Sequence, residues 1–502
     1  MDFNAVYGHI SGKHVAGLYP LLPDSSCYLL AVDFDKENWR ADVRALAQAC
    51  RDEGIPYLVE ISQSGAGAHL WVFFSDAVPA WSARALGFKL LDKAMERHPG
   101  LSFGSYDRLF PNQDTMPDGG FGNLIALPLQ HQARSRECTV FVDDELNPYP
   151  DQWALLSRQE TVSPDQLREL VGKEPKSDAA AAVALPWEQS LPVETGMIAG
   201  CPESITLTLA NHIYMKLSDL PGTLAARIKR MASFANPVFF KTQALRFSTH
   251  GIPRYISCAR IEQGYLSVPR GCFDELQVLL LEQGTTIKID DRRTLGQSLD
   301  AISLKATLRG DQKKAVKALA GHDTGILHAP TAFGKTVTAI GIVAKRQVNT
   351  LILAHSRQLL DQWKERLETF IEGALVGVIG GGKKKPTGQI DVATYQSLIN
   401  KKDNTVSSLV REYGQIIIDE CHHISAPRYE MLLNEVSARY VVGLTATPDR
   451  QDGHQKIMFM VAGPVRHNVR AEHGSRFVQR AIVREHHETP PTDLSQGGNG
   501  LT

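Results

Sequence analysis

The run Thr324-Gly325-Ile326-Leu327-His328 passes directly into Ala329-Pro330-Thr331-Ala332-Phe333-Gly334-Lys335-Thr336, and no other stretch narrows the possible folds so far. An apolar strand that ends in such a loop and opens a helix gathers backbone N–H groups at a helix N-terminus. The macrodipole is positive there and a phosphate is favoured. Gly334 permits close backbone approach, Thr331 lies in the loop, Lys335 supplies a cation to β- and γ-phosphates, and the Thr336 hydroxyl suits Mg2+. Ala329 stands where the consensus has its first glycine. The surrounding rhythm has strands at Thr324 to His328, Thr350 to Ala354, Ile390 to Ala393, Gln415 to Asp419 and Tyr440 to Leu444. With helices between them, it predicts a parallel α/β sheet over residues 301–470.

A second acidic element follows at the expected distance. Gln415-Ile416-Ile417-Ile418 is an apolar strand ending in Asp419-Glu420, where the first carboxylate would hold Mg2+ and the second would polarise an attacking water. Cys421, His422 and His423 come next, and no second ligand cluster has the spacing of a zinc site.

Together these segments resemble the first RecA-like domain of superfamily-two DEAD/DEAH-type helicases, over about residues 305 to 470. The resemblance implies ATP as ligand, with Thr331, Gly334 and Lys335 on its phosphates and Thr336 and Asp419 on the metal. Glu420 would be the catalytic carboxylate, His422 a coupling histidine, and Gln312 of Leu308-Arg309-Gly310-Asp311-Gln312 the reader of adenine. Thr445 and Thr447, in Thr445-Ala446-Thr447-Pro448, would couple hydrolysis to strand movement. His355, Arg357 and Ala393-Thr394-Tyr395-Gln396 resemble strand-end motifs that grip a nucleic-acid backbone. The family works in a cleft between two RecA-like domains. Too few residues follow Thr447 for a second one, and no Q-x-x-G-R-x-x-R-like segment is present. The expectation is a half-motor, either truncated or completed by a separate chain.

At the other end, Asp33 and Asp35 close an apolar strand, Tyr28 to Asp33, and their two-residue spacing puts both carboxylates on one face. A helix is expected over Ala41 to Asp52. Strands are expected at Tyr57 to Ile61 and His69 to Phe74, joined by the turn Ser62-Gln63-Ser64-Gly65-Ala66-Gly67. Asp107, in Ser105-Tyr106-Asp107-Arg108, offers a third carboxylate, and Asp143, after Phe141-Val142, is its rival. Three carboxylates and His69 suit two-metal phosphoryl transfer. Trp71, Phe73 and Phe74 read as core.

This set, with Phe121-Gly122-Asn123-Leu124-Ile125-Ala126-Leu127-Pro128-Leu129, resembles the primase domain of TOTE conflict systems in the archaeo-eukaryotic primase-polymerase superfamily. The resemblance covers about residues 20 to 160. It implies Mg2+ or Mn2+ on Asp33, Asp35 and Asp107, with Ser64, His69 and Arg108 on the phosphates of an incoming nucleoside triphosphate.

Between the two lie a Pro- and Ala-rich stretch that reads as a linker, residues 171–200, and a segment over 201–300. Pro237-Val238-Phe239-Phe240, Ile252 to Ile256 and Val268-Pro269-Arg270-Gly271 resemble the small domain before the motor of nucleotide-excision-repair-type helicases, which contacts DNA. Lys229, Arg230, Lys241, Arg246, Arg254, Arg260 and Arg270 would be its phosphate-binding face. The formal charge of -1 neither demands nor excludes a nucleic-acid partner. Seven cysteines without a C-x-x-C pair, no apolar run of membrane-spanning length and no signal-like N-terminus point to a reduced cytoplasm.

The expected whole is a multidomain α/β chain: an α+β primase-polymerase unit over 1–170, the linker, the DNA-binding insert, the RecA-like unit, and a frayed tail over 471–502. It would open DNA and make or extend primers. The alternative is a nucleotide-responsive DNA clamp with an incomplete motor.

Overall fold

A computed structural model describes residues 3–35, 38–101, 109–117, 120–172, 196–249, 251–400, 402–447 and 453–469. Most of the expected linker (173–195), the tail (470–502), Asp107, Arg108 and Pro448 lie outside the described residues. Three larger sheets organise the remainder.

In the N-terminal unit the strands are β1 (Ser26–Phe34), β2 (Leu58–Ile61), β3 (Ala68–Pro79), β4 (Leu109–Phe110) and β5 (Phe141–Val142). They lie side by side as β4-β1-β3-β2-β5, with every neighbour antiparallel. Helices α1 (Trp39–Asp52) and α2 (Ala80–Arg97) pack on each other and on β1. α1 is amphipathic, burying Trp39, Val43, Leu46, Ala47 and Cys50, and the chain turns back at Gly54 with φ +66°. The register sets Asp33 opposite His69 and His69 opposite Glu60, so three polar residues form one row across three strands.

The middle unit has strands β6 (Ser204–Leu209), β7 (His212–Lys216), β8 (Arg260–Glu262), β9 (Tyr265–Pro269) and β10 (Thr286–Asp291), in the order β8-β9-β7-β6-β10. Helices α3 (Gly222–Met231), α4 (Pro237–Ala244) and α5 (Phe273–Glu282) accompany it.

The C-terminal unit carries α6 (Gly310–Ala320), β11 (Thr324–His328), α7 (Lys335–Arg346), β12 (Thr350–Ala354), α8 (Arg357–Phe370), β13 (Val376–Gly380), β14 (Lys383–Lys385), β15 (Ile390–Thr394), β16 (Gln415–Ile418), β17 (Tyr440–Thr445), α9 (Gln455–Ala462) and β18 (Val465–Asn468). The sheet order is β14-β13-β15-β12-β16-β17-β11-β18, parallel throughout except for the β13–β14 edge hairpin. Alternate residues supply its two faces. Ile326, Leu351, Leu353, Ile416, Ile418 and Val441 enter one core, and Leu327, Ile352, Ile417, Val442 and Leu444 enter the other. A sheet covered on both sides needs apolar residues at both strand parities, which explains the unbroken apolar runs in its sequence.

The middle unit is keyed into both neighbours through buried cations, and this corrects the expected phosphate face. Lys229 donates to the carbonyls of Pro99 and, at 2.7 Å, Leu101. Arg230 pairs with Asp92 at 3.0 Å. Arg254 shares Asp114 with the buried Arg84, whose Nε lies 2.8 Å from that carboxylate and whose Nη1 donates to Pro111 O at 2.8 Å. Arg270 donates to the carbonyls of Ala438, at 2.8 Å, and Val436. Four of the seven cations therefore turn inward, because an interface that buries backbone carbonyls must supply donors for them.

Burial brings the Lys229 ammonium down to about 7, with Asp42 opposing and Arg230 assisting, against an ordinary value of 10.5. Across that window the unfolded chain binds the proton that the folded chain has shed. The stability contributed here therefore rises as pH climbs from about 7 towards 10.5 and is lost as pH falls back through that window to about 7. Thermal melts from pH 7 to 9 should rise more steeply for the native chain than for Lys229→Met. Identical slopes would remove Lys229 from the balance.

Candidate functional site

The C-terminal ends of parallel strands share one edge of their sheet, and the motif residues collect there. The loop from Ala329 to Gly334 leaves β11 and turns into α7 through two left-handed residues, Ala332 at φ +68° and Gly334 at φ +88°. A Cβ on Gly334 would lie 2.6 Å from the Gln312 side-chain nitrogen, so a larger residue would have to displace that amide as well as adopt a left-handed φ. Gln312 is buried. Its Nε2 donates to Phe333 O at 3.0 Å and its Oε1 accepts from Arg309 N at 3.0 Å, so the expected adenine reader also braces the loop. Thr331 is exposed and Thr336 half-buried. Lys335 Nζ rests on Ala329 O at 3.2 Å, inside the curve of the loop.

Asp419 follows β16 and is 8% exposed. Its Oδ2 accepts from the Trp363 indole at 2.7 Å, and its Oδ1 accepts from Glu420 N at 3.1 Å. Glu420 is left-handed at φ +47°. Its carboxylate lies 3.4 Å from His422 Nδ1, which is also 3.3 Å from Thr445 Oγ1. Thr445 Oγ1 accepts in turn from Thr447 N at 3.1 Å. Glu420, His422, Thr445 and Thr447 thus form one connected chain of contacts. Cys421 is buried against Met458.

In the N-terminal unit, His69 stands between two carboxylates. Its Nε2 is 3.5 Å from Asp33 Oδ1 and its Nδ1 is 3.1 Å from Glu60 Oε2. Glu60 is 1% exposed and also accepts from the Trp71 indole at 2.8 Å. Burial pushes the His69 imidazole down, but Glu60, then Asp33 and Asp35, outweigh it and hold the group above its ordinary value. The turn Ser62–Gly67 closes over this row. Ser64 Oγ accepts from Ala66 N at 3.1 Å and meets Ser62 Oγ at 3.0 Å. A Cβ on Gly67 would fall 2.5 Å from Phe34 O, so the turn can approach the Asp33–Asp35 strand end only with glycine there.

Asp143 follows Phe141, which is paired with Glu60, by two residues. It lies after the edge strand β5, and its Oδ1 accepts from the amides of Glu145 and Asn147 at 3.0 and 2.8 Å. β4, which begins two residues after Asp107, pairs Leu109 with Val32, beside Asp33. Among the described residues no group of three or more His, Cys, Asp or Glu is arranged to hold a metal ion. Asp33 and Asp35 are acceptor-only oxygen ligands of the kind Mg2+ takes, and both act on His69.

Residues 1–170 match the family model described as the TOTE conflict system archaeo-eukaryotic primase domain. Residues 305–450 match the model of the type III restriction enzyme res subunit. The chain joins a TOTE-type primase domain to a superfamily-two helicase domain. The helicase domain is similar to the DNA 3'-5' translocase XPB2 of Sulfurisphaera tokodaii, 36% identical over 161 residues, covering 32% of this chain and 35% of that protein. It is also similar to the DNA 3'-5' helicase XPB of Kineococcus radiotolerans, 31% identical over 167 residues, covering 32% of this chain and 30% of that protein. The chain spans about a third of the length of these curated relatives. Among solved structures, the UvsW helicase of bacteriophage T4 aligns with a TM-score of 0.40 and 16% identity, covering 52% of this chain and 99% of that one. No helix among the described residues is long and apolar enough to cross a membrane.

Two residues of these sites escaped sequence reasoning, Glu60 and Trp363. Glu60 had one signal, an acid inside the apolar strand Leu58-Val59-Glu60-Ile61. Trp363 had none, since its role depends on α8 lying across the end of β16. Trp363→Phe keeps the packing and removes the donor to Asp419. The loss of a hydrogen bond to a charged group, roughly 1.5–3 kcal/mol, should weaken Mg2+-dependent nucleotide binding about tenfold in calorimetry. Unchanged affinity would leave the indole a packing role alone.

Proposed function

We propose that this chain is an ATP-driven nucleic-acid motor joined to a primase-polymerase, which opens DNA and makes or extends primers on it. The observation that carries the reading is the pair of preorganised polar sites, each with one buried carboxylate, Glu60 behind His69 and Asp419 after its strand, fixed by an indole N–H.

In the helicase domain, Lys335 needs only to leave the Ala329 carbonyl to meet β- and γ-phosphates lying against the loop amides. Thr336 and Asp419 hold the metal, and Trp363 and the Glu420 amide fix the Asp419 oxygens in place. Bound Mg2+ supplies charge neutralisation at the phosphates. Glu420 polarises water, and its contact with His422 passes the loss of the γ-phosphate to Thr445 and Thr447. Gln312 reads adenine while holding Phe333. Arginines that complete the ATP cleft come from polypeptide outside residues 305–469, in a second RecA-like domain of this or another chain.

In the primase domain, Asp33, Asp35 and Asp107 hold Mg2+ or Mn2+, which lowers the charge barrier to attack by a primer 3′-oxygen. His69 keeps its proton because Glu60 lies behind it, and with Ser64 and Arg108 it faces the triphosphate. The domains divide as residues 1–170, 201–300 and 301–470, joined through 171–200. Seven free cysteines fit a reducing cytoplasm.

Two variants of the full chain test the two halves separately. Asp33→Ala should abolish Mg2+- or Mn2+-dependent nucleotide incorporation while leaving DNA-stimulated ATPase intact. Glu420→Gln should bind nucleotide normally and lose hydrolysis by about 100-fold or more. Incorporation that survives Asp33→Ala removes the polymerase reading, and hydrolysis that survives Glu420→Gln removes the motor reading.

A further inference from the structure

The segment running from α3 into the short strand Ser233–Ala235 belongs to two cores at once. Ala226 is buried in the primase core, and Phe234, eight residues later, is buried in the helicase core beside Ile418 and Cys421. The stretch between them is tied down throughout. Lys229 holds the Pro99 and Leu101 carbonyls, Ser233 Oγ donates to Lys229 O at 2.7 Å, and Ser233–Ala235 pairs antiparallel with Tyr255–Ser257.

Each end reaches a reacting centre. On the helicase side, the turn Cys421–Ser425, which carries His422, packs on α9, where Ser425 Oγ donates to His454 O at 3.0 Å. α9 meets the turn Arg270–Cys272 so closely that a Cβ on Gly271 would lie 2.1 Å from Phe459 O. Arg270 holds the Val436 and Ala438 carbonyls just before β17, the strand that ends at Thr445. On the primase side, Arg254 lies 3.5 Å from Asp114, and its guanidinium sits over the rings of Phe88, Phe239 and Phe240. Arg84 joins the same Asp114 to Pro111 O, and the next residues back are β4, paired to β1 beside Asp33.

We infer that the middle unit is a strut through which nucleotide binding at the helicase site alters the primase site, with Arg270 and Arg254 as its two positioning residues. The inference rests on the two-site reading above and adds communication between the sites. Neither arginine touches a substrate. Each fixes a loop next to a strand whose end carries active carboxylates or hydroxyls, and close-packed contacts of this kind pass on displacements instead of absorbing them. Coupling energies in proteins correspond to changes of roughly 5- to 150-fold.

The test uses the full chain with Mg2+ and a non-hydrolysable ATP analogue, after calorimetry has shown that the analogue binds. Hydrogen exchange is read over residues 109–117, and dTTP incorporation is measured on a primed poly-dA template, where the analogue is not templated. Binding should change exchange in that segment about fivefold and shift kcat or KM for dTTP by a similar factor. Lys335→Ala should abolish both responses. Arg254→Gln should lose them with analogue affinity unchanged, and Arg254→Lys should restore them. Gly271→Ala, which wedges the opposite joint, should also lose them, so the conclusion does not depend on one variant folding. Exchange in 109–117 that ignores a bound analogue overturns the strut, and so does a response that survives both Arg254→Gln and Gly271→Ala. Because exchange requires no catalysis, that failure differs from loss of the polymerase reading, which appears only in the Asp33→Ala incorporation assay.

Discussion

A carboxylate inside or just after an apolar strand is nearly out of water, and leaving it without donors costs several kcal/mol. Glu60 and Asp419 both occupy that position, and the chain meets both constraints in the same way, with a tryptophan N–H. The indole is apolar enough to pack in the core and polar enough to orient one oxygen. The same Glu60 oxygen also meets His69 Nδ1, and the second Asp419 oxygen takes the Glu420 amide.

Much of the helicase site could be read from sequence because its determinants are local. A strand, a loop and a helix N-terminus follow one another within Thr324 to Thr336, and the acidic pair needs only the strand before it. The alternation of apolar strands with helices predicted a parallel sheet, and β11, β12, β15, β16 and β17 lie in one. What was not legible depends on contacts between distant segments. Trp363 meets Asp419 across fifty-six residues, and β4 and β5, the strands next to Asp107 and Asp143, occupy opposite edges of the sheet. The row Asp33–His69–Glu60 is a property of strand register, which the spacing of Asp33 and Asp35 does not encode.

Four of the middle segment's seven cations depart from the expected phosphate face for a related reason. A lysine or arginine in sequence carries its charge but not its depth, and here depth decides. Arg270, buried on backbone carbonyls and lowered to about 10 by desolvation, and Arg84, lowered to about 10 by the same cause, serve as multivalent donors where three units close on each other. An apolar side chain at any of these points would fill space and leave carbonyls unpaired.

This use of cations has a consequence for how the protein could hold a polyanion. With 54 Lys and Arg against 55 Asp and Glu there is no surplus positive field, and several of those cations are spent inside joints. Under the proposed function a grip on nucleic acid would therefore be local, and the strand-end residues of the helicase sheet are its candidates. His355 and Arg357 follow β12, and Gln396, after β15, donates to His355 O at 3.4 Å. The proposed ATP site lies on the next strand, where Asp419 N donates to Leu353 O at 3.0 Å and the His423 ring lies 4.7 Å from that of His355. His423 in turn lies 4.2 Å, ring to ring, from His422, so the residue proposed to sense phosphate and those proposed to hold a strand are linked through one intervening ring. Under that proposal, coupling hydrolysis to movement would require only that neighbouring strand ends shift together.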